Sequence, residues 1–159
     1  CEGTTIKIYL PRHLGPAEDG GDPGRTETPP PADRGELILV VDDEDLVRRF
    51  SVEALTELGY RVLEASSAQA ALAMILDRPD VDLLFTDIVM PEMNGKKLAD
   101  LVREKRPDLP VIYTTGYTRN AVVHNGTLDP DVELISKPFT IEELATRVRT
   151  VLEAKAVRR

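Results

Sequence analysis

The residues in this sequence best suited to chemistry are acids, a threonine and a lysine that each stand at the end of an apolar run. Asp42 and Asp43 follow the first run, Asp87 follows another, and Thr115 and Lys137 follow two later ones. Carboxylates that converge on one crevice repel one another unless a cation neutralises them, and such hard oxygen ligands suit Mg²⁺. The pattern therefore predicts a magnesium site.

A magnesium site with a lysine beside it favours phosphoryl transfer, which needs an in-line nucleophile and positive charge around the phosphoryl oxygens. Asp87 is the predicted nucleophile, because a carboxylate can form an acyl phosphate without a separate base. Asp42 and Asp43 would hold the metal, one of them directly and the other through water. Lys137 would pair with Asp87 and later with the phosphoryl group, and the Thr115 hydroxyl would hydrogen-bond a phosphoryl oxygen.

Each of these residues also has an ordinary structural interpretation. Asp42 and Asp43 could form a helix N-cap with an acidic first turn. Asp87 could be a turn residue, Thr115 a strand exit and Lys137 part of a solvated loop. Their common position at the ends of successive predicted strands favours the functional interpretation.

Short apolar runs alternate with helical segments from Glu36 onward. The predicted strands are Leu37–Val41, Tyr60–Leu63, Val81–Thr86, Val111–Thr114 and Val132–Ile135. Most are apolar at consecutive positions, which is typical of strands covered on both faces. Five strands alternating with five helices predict an α/β fold with a doubly wound parallel sheet. Ligands of such sheets bind at the carboxyl ends of the strands, where the acids stand.

The helices are predicted from apolar spacing and end signals. The first carries a stripe that Gly59 would end, formed by Leu46, Phe50, Ala54 and Leu58. Capping boxes are predicted for two others, from the pairs Ser66 with Gln69 and Thr140 with Glu143. The remaining two are predicted over residues 97–106 and, more weakly, 119–125.

The chain divides into a short N-terminal piece, residues 1–11, a linker, residues 12–35, and a domain over residues 36–157. The linker is rich in Gly and Pro and almost lacks large apolar side chains, so it cannot offset its conformational entropy by burial. The first piece alternates apolar and polar residues like a strand. It is either a disordered remnant or the last strand of a preceding domain.

Composition argues against two classes of partner. The net charge is −8 at pH 7, so a large nucleic-acid footprint or binding to anionic membranes is not expected.

The single cysteine, Cys1, cannot form an internal disulfide. No apolar run approaches the about 18 residues of a membrane span, and we expect the domain to be cytoplasmic. Because the chain begins at Cys1, we interpret it as part of a longer protein, and any membrane anchor could then lie outside this sequence.

Separate motifs in the right order make residues 36–157 similar to the receiver domain of response regulators. The matching segments are Leu37–Glu44, Asp87–Pro91 with Gly95, Thr115–Gly116 and Lys137–Phe139. The resemblance implies a flavodoxin-like fold with five parallel strands in the order 2-1-3-4-5. It also implies phosphoryl transfer to Asp87 from a phosphohistidine on a partner domain.

In this family Mg²⁺ would be bound by Asp43, Asp87 and the backbone carbonyl of Val89, with Asp42 acting through water. The phosphoryl group would draw the Thr115 hydroxyl inward and shift the face formed by the fourth helix, fifth strand and fifth helix. The resemblance is also compatible with a weak homodimer.

The sequence departs from the family at one switch position. An aromatic residue is common three positions before the lysine, and Leu134 stands there. Tyr117 is a candidate substitute, with packing in its loop as the alternative interpretation. The apolar Val89, two residues after Asp87, should not position an attacking water.

The piece Glu2–Pro11 resembles the closing strand of a histidine-kinase ATP-binding domain. Joined by the linker to a receiver, it predicts the C-terminal end of a hybrid sensor histidine kinase. This fragment would then be a phosphoacceptor without turnover of its own, and its parent a protein-histidine kinase.

Two alternative functions have distinct sequence requirements. A phosphatase of the haloacid-dehalogenase type needs a second acid two residues after the nucleophile to protonate the leaving alkoxide, and Val89 occupies that position. A pseudo-receiver, which binds proteins without phosphoryl chemistry, would be expected to lack one of the acids or the lysine.

Overall fold

In the described residues the apolar runs form strands, and helices follow β1, β2, β3 and β5 along the chain. The structure, a computed structural model, describes residues 35–116 and 133–158. The strands are β1 (Leu37–Val41), β2 (Arg61–Ala65), β3 (Val81–Asp87), β4 (Val111–Thr115) and β5 (Glu133–Ser136). The helices are α1 (Asp45–Glu57), α2 (Ala68–Asp77), α3 (Gly95–Lys105) and α4 (Ile141–Arg158).

Several predictions fall outside the described residues. These are the N-terminal piece over residues 1–11, the linker up to residue 34, Tyr117 and the weak helix over residues 119–125. The label α4 therefore belongs to the helix that the sequence predicts as the fifth.

The five strands form one parallel sheet in the order β2-β1-β3-β4-β5, which confirms the predicted fold. The order reverses between β1 and β3, where Leu39 pairs with Leu84 and Val41 with Thr86. On the other side of β3, Asp87 lies opposite Thr114 of β4. This register brings the ends of β1, β3 and β4 to one edge of the sheet.

Almost all residues of the central strands β1, β3 and β4 are buried on both faces, as their consecutive apolar residues predict. One core includes Leu39, Leu84 and Tyr113 with Leu98 of α3. The other includes Val40, Phe85 and Ile112 with Leu144 of α4. The fully buried strand β1 has no polar face because each of its two faces contributes to one core.

The predicted apolar stripe of α1 is partly wrong. Leu46 is 83% exposed and Phe50 41% exposed, whereas Ala54 is buried as predicted. The helix faces the core through Ser51, Ala54 and Leu55. Ser51 can be buried because its hydroxyl donates to the carbonyl of Val47 at 2.9 Å, which satisfies the polar group inside the helix.

The helix ends agree with the sequence at two places and differ at one. Gly59 adopts a φ of 89°, the left-handed conformation expected after α1. Thr140 and Glu143 form the predicted capping box, with bonds of 3.0 and 3.2 Å between side chain and backbone. The predicted box of Ser66 with Gln69 is wrong, because the N-cap of α2 is Ser67, whose Oγ accepts from Ala70 N.

None of the helices in the described ranges is both long and apolar enough to span a membrane.

Candidate functional site

Three acids meet where the sheet reverses its order. Asp42 and Asp43 directly follow β1, and Asp87 is the last residue of the adjacent strand β3. One carboxylate oxygen of each lies within 4.8 Å of the others. Asp42 and Asp87 are 3% and 6% exposed, whereas Asp43 is exposed. The acids that the sequence predicts to converge are thus brought together.

Lys137, directly after β5, reaches this cluster with its ammonium group. Its Nζ donates to Oδ2 of Asp42 at 2.8 Å and to Oδ2 of Asp87 at 2.7 Å. The backbone N–H of Lys137 donates to the carbonyl of Thr115 at 2.7 Å, which ties the lysine to the end of β4. The predicted neighbour of Asp87 is therefore also a neighbour of Asp42.

The second oxygen of each buried carboxylate is held by the backbone. Oδ1 of Asp42 accepts from Glu44 N at 2.9 Å, and Oδ1 of Asp87 accepts from Val89 N at 3.2 Å. Among the described residues, the exposed carboxylate of Asp43 has no such hydrogen bond. Two acids of the cluster are therefore fixed on both oxygens, and the third is open to solvent.

Burial and pairing act on the protonation of these groups in opposite directions. Burial raises the pKa of Asp42 despite its hydrogen bonds to Lys137 and Glu44. Burial alone would lower the pKa of Lys137, but the hydrogen bonds to Asp42 and Asp87 outweigh it and the pKa is raised. Lys137 is therefore firmly cationic at neutral pH.

The donor set fits a divalent cation. All three acids offer oxygen, the ligand type that Mg²⁺ prefers. When ionised, their three carboxylates exceed the single ammonium of Lys137 by two charges, which a divalent ion would neutralise. Asp43 is the most accessible of the three, and its carboxylate is not occupied by Lys137.

Thr115 ends β4 one residue beyond the partner of Asp87 and is 1% exposed. Its hydroxyl lies 3.3 Å from the carbonyl oxygen of Gly116, to which it donates. Leu134, at the predicted switch position on β5, pairs in register with Tyr113. It is partly buried and packs against the core that includes Tyr113. Val89 exposes 64% of its surface beside Asp87.

Lack of space explains why position 95, the first residue of α3, is a glycine. A Cβ at this position would lie 2.0 Å from the carbonyl oxygen of Asp87. The N–H of Gly95 also donates to the carbonyl of Ile88 at 3.0 Å. The first turn of α3 is therefore in contact with the backbone that presents Asp87.

Sequence reasoning missed Arg48, whose Nη1 donates to the carbonyl oxygen of Asp42 at 2.9 Å. The spacing of Asp45 and Arg48 suggests an ion pair on α1, and the structure has it. The second partner, Glu64 on β2, could not be found from spacing because it is distant in sequence.

The chain matches known proteins in both sequence and fold. Residues 38–149 match the family described as Response regulator receiver domain. The chain belongs to this family, and it is a receiver domain of two-component signalling.

Two Brucella abortus proteins illustrate the relationship. The response regulator receiver protein CpdR is 36% identical over 117 residues, covering 74% of this chain and 97% of CpdR. The sensor kinase CckA is 35% identical over 158 residues, covering 96% of this chain. The chain spans only 17% of the length of that kinase.

Solved structures show the same fold. A receiver protein from Sinorhizobium medicae WSM419 is 30% identical with a TM-score of 0.69, covering 78% of this chain and 99% of its own. The receiver domain of the hybrid histidine kinase CckA is 32% identical with a TM-score of 0.61, covering 73% of this chain and 98% of its own.

Proposed function

We propose that Asp87 accepts a phosphoryl group from a phosphohistidine of a partner domain in a Mg²⁺-dependent reaction. The observation that carries the proposal is the meeting of three acids and Lys137 at the reversal point of the sheet. Membership of the receiver family supports it.

The reaction needs few groups from the protein. A carboxylate oxygen of Asp87 attacks phosphorus, the bond from phosphorus to the imidazole nitrogen breaks, and the electron pair stays on that nitrogen. No base has to deprotonate the carboxylate first. The hydrogen bonds of Asp87 to Lys137 and to Val89 N orient the nucleophile before the donor arrives.

Mg²⁺ would be held by the carboxylates of Asp43 and Asp87 and the backbone carbonyl of Val89, with Asp42 acting through water. When bound, it supplies positive charge to the phosphoryl oxygens. Lys137 provides a second positive charge that stays in place when the phosphoryl group replaces the negative charge of Asp87.

The change after phosphorylation would pass through Thr115 and β5. The Thr115 hydroxyl would donate to a phosphoryl oxygen, and the N–H of Lys137 on the Thr115 carbonyl couples this movement to the start of the segment leading to α4. Leu134 on β5 would take part by its packing, since it carries no aromatic ring to rotate. Tyr117 is proposed as the aromatic substitute.

The donor would be a phosphohistidine domain of a histidine kinase or a phosphotransfer protein. Exposed apolar side chains on α1, Leu46 and Phe50, offer such a partner a contact next to the loop of Asp42 and Asp43. Phe50 is braced by Phe139, whose ring centroid lies 5.9 Å away. We place this exchange in the cytoplasm.

We further propose that the chain is the receiver end of a hybrid sensor histidine kinase. The match to the CckA kinase supports this, because a match over 96% of the chain extends beyond residues 38–149 into the segment before the receiver. In this arrangement residues 1–11 would close the kinase ATP-binding domain and residues 12–35 would link it to the receiver.

The phosphoryl proposal is tested by incubating the chain with acetyl phosphate and Mg²⁺ and measuring its mass. A phosphoryl adduct is expected on the native chain and on Asp100→Asn, an exposed aspartate of α3 that serves as matched control. The adduct should be absent from Asp87→Asn. An adduct that persists in Asp87→Asn would refute the assignment, and steady hydrolysis of a phosphate ester would favour the phosphatase.

A further inference from the structure

Arg48, in the first turn of α1, donates hydrogen bonds to three acceptors, one of which is the backbone of Asp42 in the acidic cluster. Its Nη1 donates to the carbonyl oxygen of Asp42 at 2.9 Å and its Nε to Oε2 of Glu64 on β2 at 3.1 Å. Its Nη2 donates to Oδ1 of Asp45. The Arg48 side chain is 12% exposed, although its carboxylate partners are 68% and 55% exposed.

The carbonyl that Arg48 binds belongs to the peptide group joining Asp42 to Asp43. A donor on this oxygen fixes the plane of the peptide and therefore the direction in which the next residue, Asp43, leaves the strand. On the other side of the same loop, Glu44 N donates to the carboxylate of Asp42. Among the described residues, the Asp43 carboxylate has no hydrogen bond of its own, so its position depends on this backbone.

We propose that Arg48 is a positioning residue of the metal site, which fixes the loop of Asp42 and Asp43 in the conformation that binds a divalent cation. The inference rests on the proposed function, because it concerns how the acidic cluster holds Mg²⁺. Arg48 itself would not touch the ion.

Two effects of Arg48 on cation binding oppose each other. Its positive charge disfavours a second cation nearby, whereas its hydrogen bond to the Asp42 carbonyl favours the ligating conformation. Asp45 and Glu64 neutralise the charge, and both are more than half exposed, so water and salt screen what remains. The positioning effect is not screened, because it acts through the backbone. Removing Arg48 should therefore weaken binding.

Arginine suits this role better than lysine. The planar guanidinium carries donors in fixed directions, and here three of its nitrogens serve three different acceptors. A lysine would keep the charge but could not hold the Asp42 carbonyl, Asp45 and Glu64 together. The Arg48→Lys variant thus removes the contacts that position the loop while it keeps the positive charge.

The test is isothermal titration of the 159-residue chain with MgCl₂ at low and at high ionic strength. Arg48→Lys and Arg48→Ala should each raise the Kd for Mg²⁺ by about tenfold, as expected for residues that orient metal ligands. Arg49→Ala is the matched control, because Arg49 is the exposed neighbour on the same helix, and its Kd should stay within about twofold of the native value. A cooperative urea transition of each variant checks that it is folded during the titration.

The outcomes distinguish this inference from the proposed function. A Kd for Arg48→Lys within twofold of the native chain, or tighter binding by Arg48→Ala at low salt, would overturn the positioning role while the metal site stands. A native chain that does not bind Mg²⁺ would overturn the proposed metal site, and the role of Arg48 with it. If Arg48→Ala fails to fold, Arg48→Lys carries the test, since it keeps the charge and the helix propensity.

Discussion

Lys137 and Asp87 lie at the ends of strands that are not neighbours, yet Nζ of the lysine is 2.7 Å from Oδ2 of the aspartate. The same nitrogen is 2.8 Å from Oδ2 of Asp42. One ammonium is therefore shared by the two buried acids of the cluster. The Lys137 side chain is only 14% exposed, so water could do little to replace its hydrogen bonds to the two acids.

The shared ammonium predicts a stability effect. Lys137→Met should destabilise the chain by about 3 kcal/mol in the absence of Mg²⁺, because it leaves two buried carboxylates without their cation. Added Mg²⁺ should recover part of this loss by binding the folded state. Urea unfolding with EDTA and with MgCl₂ measures both effects. Lys97→Met, at an exposed position of α3, is the control and should change stability by less than about 0.5 kcal/mol. Equal losses in the two variants would argue against the shared role.

The close approach of Gly95 predicts a steric effect next to Asp87, the proposed phosphoacceptor. Gly95→Ala would place a Cβ 2.0 Å from the Asp87 carbonyl oxygen, so α3 or the strand end must move. We expect a loss of about 2 kcal/mol or more in unfolding free energy and slower phosphorylation by acetyl phosphate. Gly116→Ala is the control for stability, since a Cβ there meets nothing within 4 Å. Similar unfolding midpoints for both alanine variants would contradict the close approach.

The exposed apolar residues of α1 predict that substitutions there slow phosphotransfer from a partner domain. Leu46→Ala and Phe50→Ala should slow phosphotransfer from a phosphohistidine donor by about tenfold, because they remove apolar contact at the proposed docking surface. Their labelling by acetyl phosphate, which needs no docking, should be unchanged. Leu76→Ala removes a leucine that is 58% exposed on α2, and should affect neither reaction. Native rates of phosphotransfer in all three variants would place the donor elsewhere.

Thr114 predicts a neutral or stabilising substitution. Its hydroxyl is buried and has no hydrogen-bond partner among the described residues. Thr114→Val should therefore leave stability unchanged or raise it by up to about 1 kcal/mol. Thr86→Val provides the contrast, because the Thr86 hydroxyl donates to the Asp87 carbonyl at 3.0 Å and its loss should cost about 1 kcal/mol. Urea unfolding of the two variants decides, and a clear loss of stability in Thr114→Val would contradict the prediction.

The strands were predictable because their signal is local. The apolar run of β1 matches the observed strand, and the ends of the other strands differ by at most two residues, as for β2 at Arg61–Ala65. The stripe of α1 was less predictable, because Ser51 is polar in sequence but satisfied inside the helix. The cap of α2 was shifted by one position, since two adjacent serines, Ser66 and Ser67, offer the same side chain.

The order of motifs along the chain determined by itself that acids, a threonine and a lysine stand at the ends of four of the five strands. Parallel strands then bring those ends to one edge, which is why the cluster could be predicted. Only the tertiary structure decided that one ammonium serves both Asp42 and Asp87, and that Arg48 holds the peptide group between Asp42 and Asp43. These contacts join residues from different strands and helices, and their distances depend on the register and packing of the whole sheet.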